Sequence, residues 1–443
     1  VVDGLDIRKT VMRNIKLLLL LLFIIGCSKE EDDVVIVDPP DPPVLCEIDY
    51  TTLQSGINKI TSHYQPMNKP FVDFAGLINA NLNNFGSFTV WYAHADFNNN
   101  DISDLVLAPS NWETPSQNEI VIVKDGIITH AFKNPQVFTR KIAIEDLNQD
   151  GIDDIILFGT GPDIADSPGD KTTVIYVYAN TYKVSEIGLK SGYYHTGAVG
   201  SLVGGLSDII EINSQAFASD KDGFVKFYSN NGISELWVEG ETNITNHHVA
   251  TTYQSELHDF DNDGVLDLIL GGHEFEKSWM ADSYKPVQWR THILRGLGNG
   301  QFDIDNPSLL PIVPDWGVIT DFDMYDIDND GLTEIMVTRT TGNNNDNGLP
   351  IDGEYYDGIL VQILKQSNGS WYEWKKLEQP QAVNNYHIVW ATTTMVYDVN
   401  GDCLLDIIPE SDKINAASFS FDAIRGFYYE QQTNGDFNIK FKT

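Results

Sequence analysis

The stretch Asp259-Phe260-Asp261-Asn262-Asp263-Gly264-Val265-Leu266-Asp267, followed by Leu268-Ile269-Leu270-Gly271-Gly272, decides how the chain is read. It sets acids at positions 1, 3, 5 and 9, with glycine at position 6, where a sharp turn calls for positive φ. Hard cations such as calcium take about six to eight oxygens, from carboxylates and backbone carbonyls. A loop of this spacing can aim alternate carboxylates inward and add the carbonyl of Val265 at position 7. The D-x-D-x-D-G opening is shared with the EF-hand. Here, however, the last acid stands at position 9, not at the twelfth residue as in that motif. The flanks are short, apolar and rich in β-branched residues, which suits strands.

The pattern recurs. One copy holds Asp146, Asn148, Asp150, Gly151 and Asp154; another holds Asp326, Asp328, Asp330, Gly331 and Glu334. A weaker copy has Asp96, Asn98, Asn100 and Asp104, with Asp101 in place of the glycine. The last has Asp398, Asn400, Asp402 and Asp406, with Cys403 at the turn. A sixth stretch, Gly200 to Asp208, keeps a turn glycine and the last acid but none of the other ligands. First positions fall at 96, 146, 200, 259, 326 and 398, so the period grows from 50 to 72 residues. A unit repeated at tens of residues marks a solenoid, an array or a propeller. A single such loop could be an Asp/Asn/Gly turn without metal. Five copies, each followed by an apolar strand, argue against that reading.

These motifs resemble the FG-GAP/VCBS repeat family, the blade unit of integrin-type β-propellers, over about 87–443. The resemblance implies an all-β fold: a β-propeller of six four-stranded blades, or seven if 47–86 adds one. In that family the loop joins the innermost strand of a blade to the second strand and holds one calcium ion. It therefore implies up to five Ca2+, held by the acids and amides of the five acidic loops. The departures at Asn100, Asp101 and Cys403 weaken the first and last sites, and the loop at 200–208 is expected to be empty.

At 443 residues and 42% hydrophobic, the chain can bury one large repeat domain. The net charge of −36 excludes nucleic acid as a partner, because phosphate binding needs Lys and Arg. Residues 1–27 read as a targeting segment: Arg8, Lys9, Arg13 and Lys16 precede the apolar run Leu17–Ile25, with Met12 as an alternative start. Gly26-Cys27 followed by Ser-Lys-Glu-Glu-Asp-Asp resembles a bacterial lipoprotein signal, with Cys27 lipidated. The acidic run resembles the export tag of surface lipoproteins in Bacteroidetes-type bacteria. The expectation is an outer-membrane protein, anchored by lipid alone and facing outward, with the periplasmic face as the alternative. Residues 28–46 form an acidic, Pro-rich linker, and 47–86 an N-terminal segment that closes the ring or makes a degenerate blade. Cys46 and Cys403 could pair, but the simpler reading is two unrelated thiols, with Cys403 a substitute at a turn.

Antiparallel strands put the start of each inner strand, and the loop after each second strand, on the face away from the acidic loops. His195, His248, Trp316 and His387 precede the loops, whereas His273, Trp279, Trp289 and Arg290 follow a second strand. Aromatic and hydrogen-bonding groups gathered on one rim suit sugar rings or exposed peptide. No G-x-S-x-G, H-E-x-x-H, P-loop or dinucleotide motif is present. The leading expectation is a surface-anchored propeller that binds a glycan or an extracellular protein on this rim. The alternatives are a calcium-dependent polysaccharide lyase or hydrolase using the same rim, and a structural subunit of a cell-envelope complex.

Overall fold

The computed structural model describes residues 89–100, 104–110, 118–124, 127–162, 168–188, 191–214, 224–230, 236–245, 252–274, 290–342, 358–379, 393–410 and 427–441. The expected signal, Cys27, the linker and 47–86 lie outside the described residues, as do His248, Trp279, Trp289 and His387.

The described residues form strands and no helix, in six four-stranded sheets, each paired antiparallel. The first sheet holds β1 (Thr89–Ala95), β2 (Asp104–Ser110), β3 (Glu119–Lys124) and β4 (Ile127–Lys133). The second holds β5 (Thr139–Glu145), β6 (Asp154–Gly159), β7 (Thr173–Tyr178) and β8 (Thr181–Glu186). The third holds β9 (Tyr194–Gly200), β10 (Asp208–Asn213), β11 (Phe224–Asn230) and β12 (Trp237–Thr245). The fourth begins with β13 (Thr252–His258), β14 (Asp267–Gly272) and β15 (His292–Leu294). A small hairpin, β16 (Gly296–Gly298) with β17 (Gln301–Phe302), then intervenes before its last strand, β18 (Ser308–Leu309). The fifth holds β19 (Val318–Tyr325), β20 (Glu334–Thr340), β21 (Leu360–Ser367) and β22 (Ser370–Glu378). The sixth holds β23 (Thr393–Tyr397), β24 (Asp406–Glu410), β25 (Phe427–Gln431) and β26 (Phe437–Phe441).

Within a sheet, burial falls off along the chain. Second strands such as Asp154-Ile-Ile-Leu-Phe-Gly159 are buried at every residue, which is why they read as continuous apolar runs instead of alternating ones. Fourth strands such as Ile127–Lys133 and Thr181–Glu186 are largely exposed and carry lysines, a means of keeping an outer edge from pairing with another chain.

Successive sheets pack face to face in chain order. Ala93, Val106 and Ile120 meet Ile142 and Ile155 between the first and second sheets. Ile156 and Phe158 meet Val199 and Ile209 between the second and third. Ile210 and Phe227 meet Leu257 and Leu268 between the third and fourth. Ile269 and Ile293 meet Phe322 and Ile335 between the fourth and fifth, and Met336 and Val361 meet Val396 and Ile407 between the fifth and sixth. Each layer buries side chains worth about 1.5–3 kcal/mol apiece.

The first strands also converge through charge. Lys141 on β5 donates to the carbonyl of Gly197 on β9 (2.8 Å), to the carbonyl of Ser255 on β13 (2.6 Å), and to Glu256 (2.7 Å). Lys141 and Glu256 are both buried. Asp323 on β19, fully buried, lies within reach of the charges of Glu256 and Lys141. Four first strands thus share one buried polar cluster, which the periodicity of the repeats gave no hint of.

Candidate metal centres and the opposite rim

Each acidic motif joins the first strand of its sheet to the second. The residue before position 1 pairs with the residue at position 9: Ala95 with Asp104, Glu145 with Asp154, His258 with Asp267, Tyr325 with Glu334 and Tyr397 with Asp406. In the third sheet Asp208 pairs with Gly200. Gly200 is therefore the residue before the loop, not its first position, and that loop is one residue shorter than the others. Its lost ligands and its lost residue go together, and the expected register there is corrected by one.

Inside the loops the position-1 carboxylate organises the turn. Its Oδ1 accepts the position-5 N–H in all five acidic loops, at 3.1 Å for Asn100, Asp150, Asp263 and Asp402 and 2.9 Å for Asp330. Its Oδ2 accepts the position-6 N–H from Gly151, Gly264, Gly331 and Cys403. The glycine at position 6 has φ near +85° in the three loops that carry it, from +84° to +86°. Position 4 is left-handed as well: Asn99, Gln149, Asn262 and Asn329 have φ from +54° to +58°. The last loop exchanges the two, with Gly401 at position 4 and Cys403 at position 6, where φ is +72°. Cys403 is disulfide-bonded, so the simpler reading of a free thiol does not hold; its partner lies outside the described residues.

Position 9 is a buried brace. Its second oxygen accepts the N–H of position 2: Phe97 to Asp104 (3.0 Å), Leu147 to Asp154 (3.1 Å), Phe260 to Asp267 (3.0 Å), Ile327 to Glu334 (2.9 Å) and Val399 to Asp406 (2.9 Å). In four sheets the other oxygen accepts an N–H near the end of the third strand, from Val177, Asn230, Gly296 and Gln431. Asp208 makes the same bonds, with Leu202 and Asn230, although its loop has no other acid. The last acid is therefore held by a structural duty that does not need a metal. Burial raises these carboxyls, against the backbone bonds: Asp154 to about 8, and Asp267, Glu334 and Asp406 to about 7.

The loops lie together at one end. Asp96 N–H donates to Asp153 (2.8 Å), Asn230 donates to the carbonyl of Leu147 (2.6 Å), and Gln431 to that of Ile327 (3.0 Å). Two loops bring three carboxylates within 4.8 Å of one another: Asp259 with Asp261 and Asp263, and Asp326 with Asp328 and Glu334. Asp328 Oδ1 is buried and receives no hydrogen bond. These all-oxygen donor sets fit a hard cation such as calcium.

The opposite end gathers a different set. The His195 ring lies tilted against Tyr253, 4.0 Å between ring centres, and Tyr253 meets His273 edge-on at 4.3 Å. His195 Nδ1 lies 3.4 Å from the Tyr253 carbonyl. Burial, then the charge of Arg140, hold the His195 imidazole well below its usual range, so it is neutral at pH 7. Arg140, His195 and Tyr253 are each the second residue of a first strand, in three consecutive sheets. The expected rim residues His195 and His273 thus come together. Sequence reasoning missed Arg140 and Tyr253, although each stands six residues before its loop, as His195 does once the third loop starts at Ser201. Trp316 lies next to Gly317, whose carbonyl accepts from the Glu274 N–H (2.7 Å), and both Trp316 and Arg290 also make braces. The Trp316 carbonyl accepts from Arg339 (3.1 Å), and Arg290 donates to the carbonyl of Leu310 (2.6 Å).

No family model and no curated protein matches the chain. Among solved structures, it superposes on the exotype rhamnogalacturonan lyase YesX at 10% identity and a TM-score of 0.24, covering 74% of this chain and 52% of the lyase. It superposes on the Bacillus licheniformis rhamnogalacturonan lyase PL11 at 11% identity and a TM-score of 0.25, covering 73% and 57%. The chain thus spans a little over half of either enzyme.

Proposed function

We propose that the six sheets close into a β-propeller of FG-GAP/VCBS type, with calcium in its acidic loops and a glycan or protein ligand on the opposite rim. Closure is supported by the chain-order packing of the sheets and by the shared cluster of Lys141, Glu256 and Asp323 on their first strands. Up to five calcium ions would neutralise up to ten of the chain's excess negative charges. Anchored by lipid at Cys27, the protein would present that rim outside the outer membrane.

The observation that carries the ligand reading is the run of Arg140, His195 and Tyr253 at one register of three neighbouring sheets, with His273 beside them. A cation near a cluster of hydrogen-bonding rings suits an acidic sugar or a carboxylate-bearing peptide. Binding to a glycan array should be seen for the intact chain and fall at least tenfold in Tyr253→Ala and in Arg140→Gln. Undiminished binding in both variants would remove the rim from the proposal.

A second reading is a polysaccharide lyase acting on the same rim with His195 as the base. The imidazole would take the proton next to a uronate carboxylate as the C4–O bond breaks to form the C4=C5 double bond, the departing oxygen taking a proton from water; an imidazole held this low is a weak base, so this reading ranks second. Unsaturated ends appearing from polyuronate, and lost in His195→Ala, would establish it; no absorbance change with intact protein would dismiss it.

A further inference from the structure

The position-9 acid of each loop has a partner position on the third strand, one residue beyond the last ladder pair. That position holds Lys124, Tyr176, Ser229, Arg295, Lys365 and Glu430 in sheet order. The two sheets whose loops have acids at positions 1, 3 and 5 are the two in which a cation at this position reaches those acids. Arg295 donates from Nε to Asp261 Oδ2 (2.8 Å) and from Nη2 to Asp263 Oδ2 (2.6 Å). Lys365 donates to Asp328 Oδ2 (2.6 Å) and Asp330 Oδ2 (2.7 Å), with Glu334 at 3.4 Å. Where position 3 is an asparagine, at Asn98, Asn148 and Asn400, the partner position holds Lys124, Tyr176 or Glu430; Lys124 donates to the Phe97 carbonyl (2.7 Å), and the other two are not cations. Three carboxylates and one cation leave the same loop charge as two carboxylates alone.

The oxygens involved matter more than the charge. Asp261 Oδ1 already accepts the Asp263 N–H (3.2 Å), and Asp263 Oδ1 the Val265 N–H (2.9 Å). The Oδ2 atoms that remain for an ion are those Arg295 holds. In the fifth sheet Asp330 Oδ1 likewise accepts the Leu332 N–H (2.9 Å), which leaves Oδ2 to Lys365. In the last loop the corresponding Asp402 Oδ2 accepts only from the neutral amide of Asn400 (2.9 Å).

We propose that Arg295 and Lys365 are tethered counter-cations that a metal ion must displace, so that the loops divide into a guarded class and an open class. This rests on the calcium reading above. The guarded loops at 259–267 and 326–334 stay folded without metal and bind it more weakly. The open loops at 146–154 and 398–406 bind it more tightly despite having fewer acids at positions 1, 3 and 5. Sequence alone ranks them the other way.

Calorimetric titration of the stripped full chain with calcium tests this. Intact protein should resolve tight and weak classes of site. Arg295→Gln should move one equivalent from the weak to the tight class, about tenfold in affinity for removal of one adjacent charge. Lys365→Gln should move another, and the double variant two. Tyr176→Phe, at the matching position of an open loop, should change nothing. Should a variant not fold, the intact protein still decides the matter. The Arg295 Nε–H resonance, assigned in Arg295→Lys or by mapping the other arginines, should shift and exchange faster with solvent as calcium is added. No calcium uptake by the intact chain would overturn the calcium reading and this proposal together. Uptake with an unchanged or weakened class in both variants, or an Arg295 signal unmoved at saturation, would overturn this proposal and leave calcium binding standing.

Discussion

Asp208 separates two duties that the other loops superimpose. It keeps the buried bonds of a position-9 acid, accepting from Leu202 (2.8 Å), Val203 (3.1 Å) and Asn230 (3.2 Å), in a loop with no other acid. Its carboxylate is thus a substitute for the backbone pairing that ends where the two strands part. Asp208→Ala should cost about 2–4 kcal/mol, because it strands buried donors, and denaturant melts should give the same loss with and without calcium. The same substitution at Asp267 should cost more in calcium than in chelator. Residue type was legible here: an acid before each apolar run. Its role was not, because spacing cannot distinguish an oxygen that faces an ion from one that faces backbone N–H groups.

At the scale of elements, the second strands were legible as buried runs, since apolar side chains on both faces leave no alternation. The braces between sheets were not. Arg339 on β20 is fully buried. It donates to Glu274 (2.7 Å) in the fourth sheet's connection, to Gln362 (3.0 Å) on β21, and to the carbonyls of Trp316 (3.1 Å) and Pro311 (3.2 Å). Glu274 in turn accepts from the Thr291 hydroxyl (2.7 Å). Breaking such a pair leaves an unpaired buried charge, so Glu274→Ala should destabilise by about 3–5 kcal/mol. Arg339→Met with Glu274→Leu together should cost less than the single change. A double-mutant cycle by chemical denaturation measures both. In the sequence, His273-Glu274 has no partner at helical spacing; the partner of Glu274 is an arginine 65 residues away, which no local pattern could supply.

For the whole molecule, convergence of the first strands creates an environment that none of them has alone. Burial first, then the nearby Asp321 and Glu256, hold the Asp323 carboxyl well above the usual carboxylate range, with Lys141 opposing. The folded state therefore binds this proton more tightly than the unfolded chain. The stabilising contribution is complete below the unfolded value, about 3.9, and is lost as pH rises toward the folded one. Asp323→Asn keeps the shape and cannot ionise. It should raise Tm at pH 8 and leave it unchanged near pH 4, as read by calorimetry at both pH values. Equal shifts at the two would mean that Asp323 is ionised in the fold.

The sequence by itself determined the all-β class, the strands, and the placing of an acidic turn after the first strand of five of the six sheets. These follow from local chemistry, glycine and asparagine at left-handed positions and apolar runs beside them, which neighbouring residues settle among themselves. Only the tertiary structure decided which oxygens of those turns are already engaged and which loops carry a cation. It also decided that His195, Tyr253 and His273 meet, with Arg140 at the same register of the neighbouring sheet. Each of these depends on residues tens of positions apart being carried to one place by the packing of whole sheets, and that information is held in the contacts between strands, not in the spacing along any one of them.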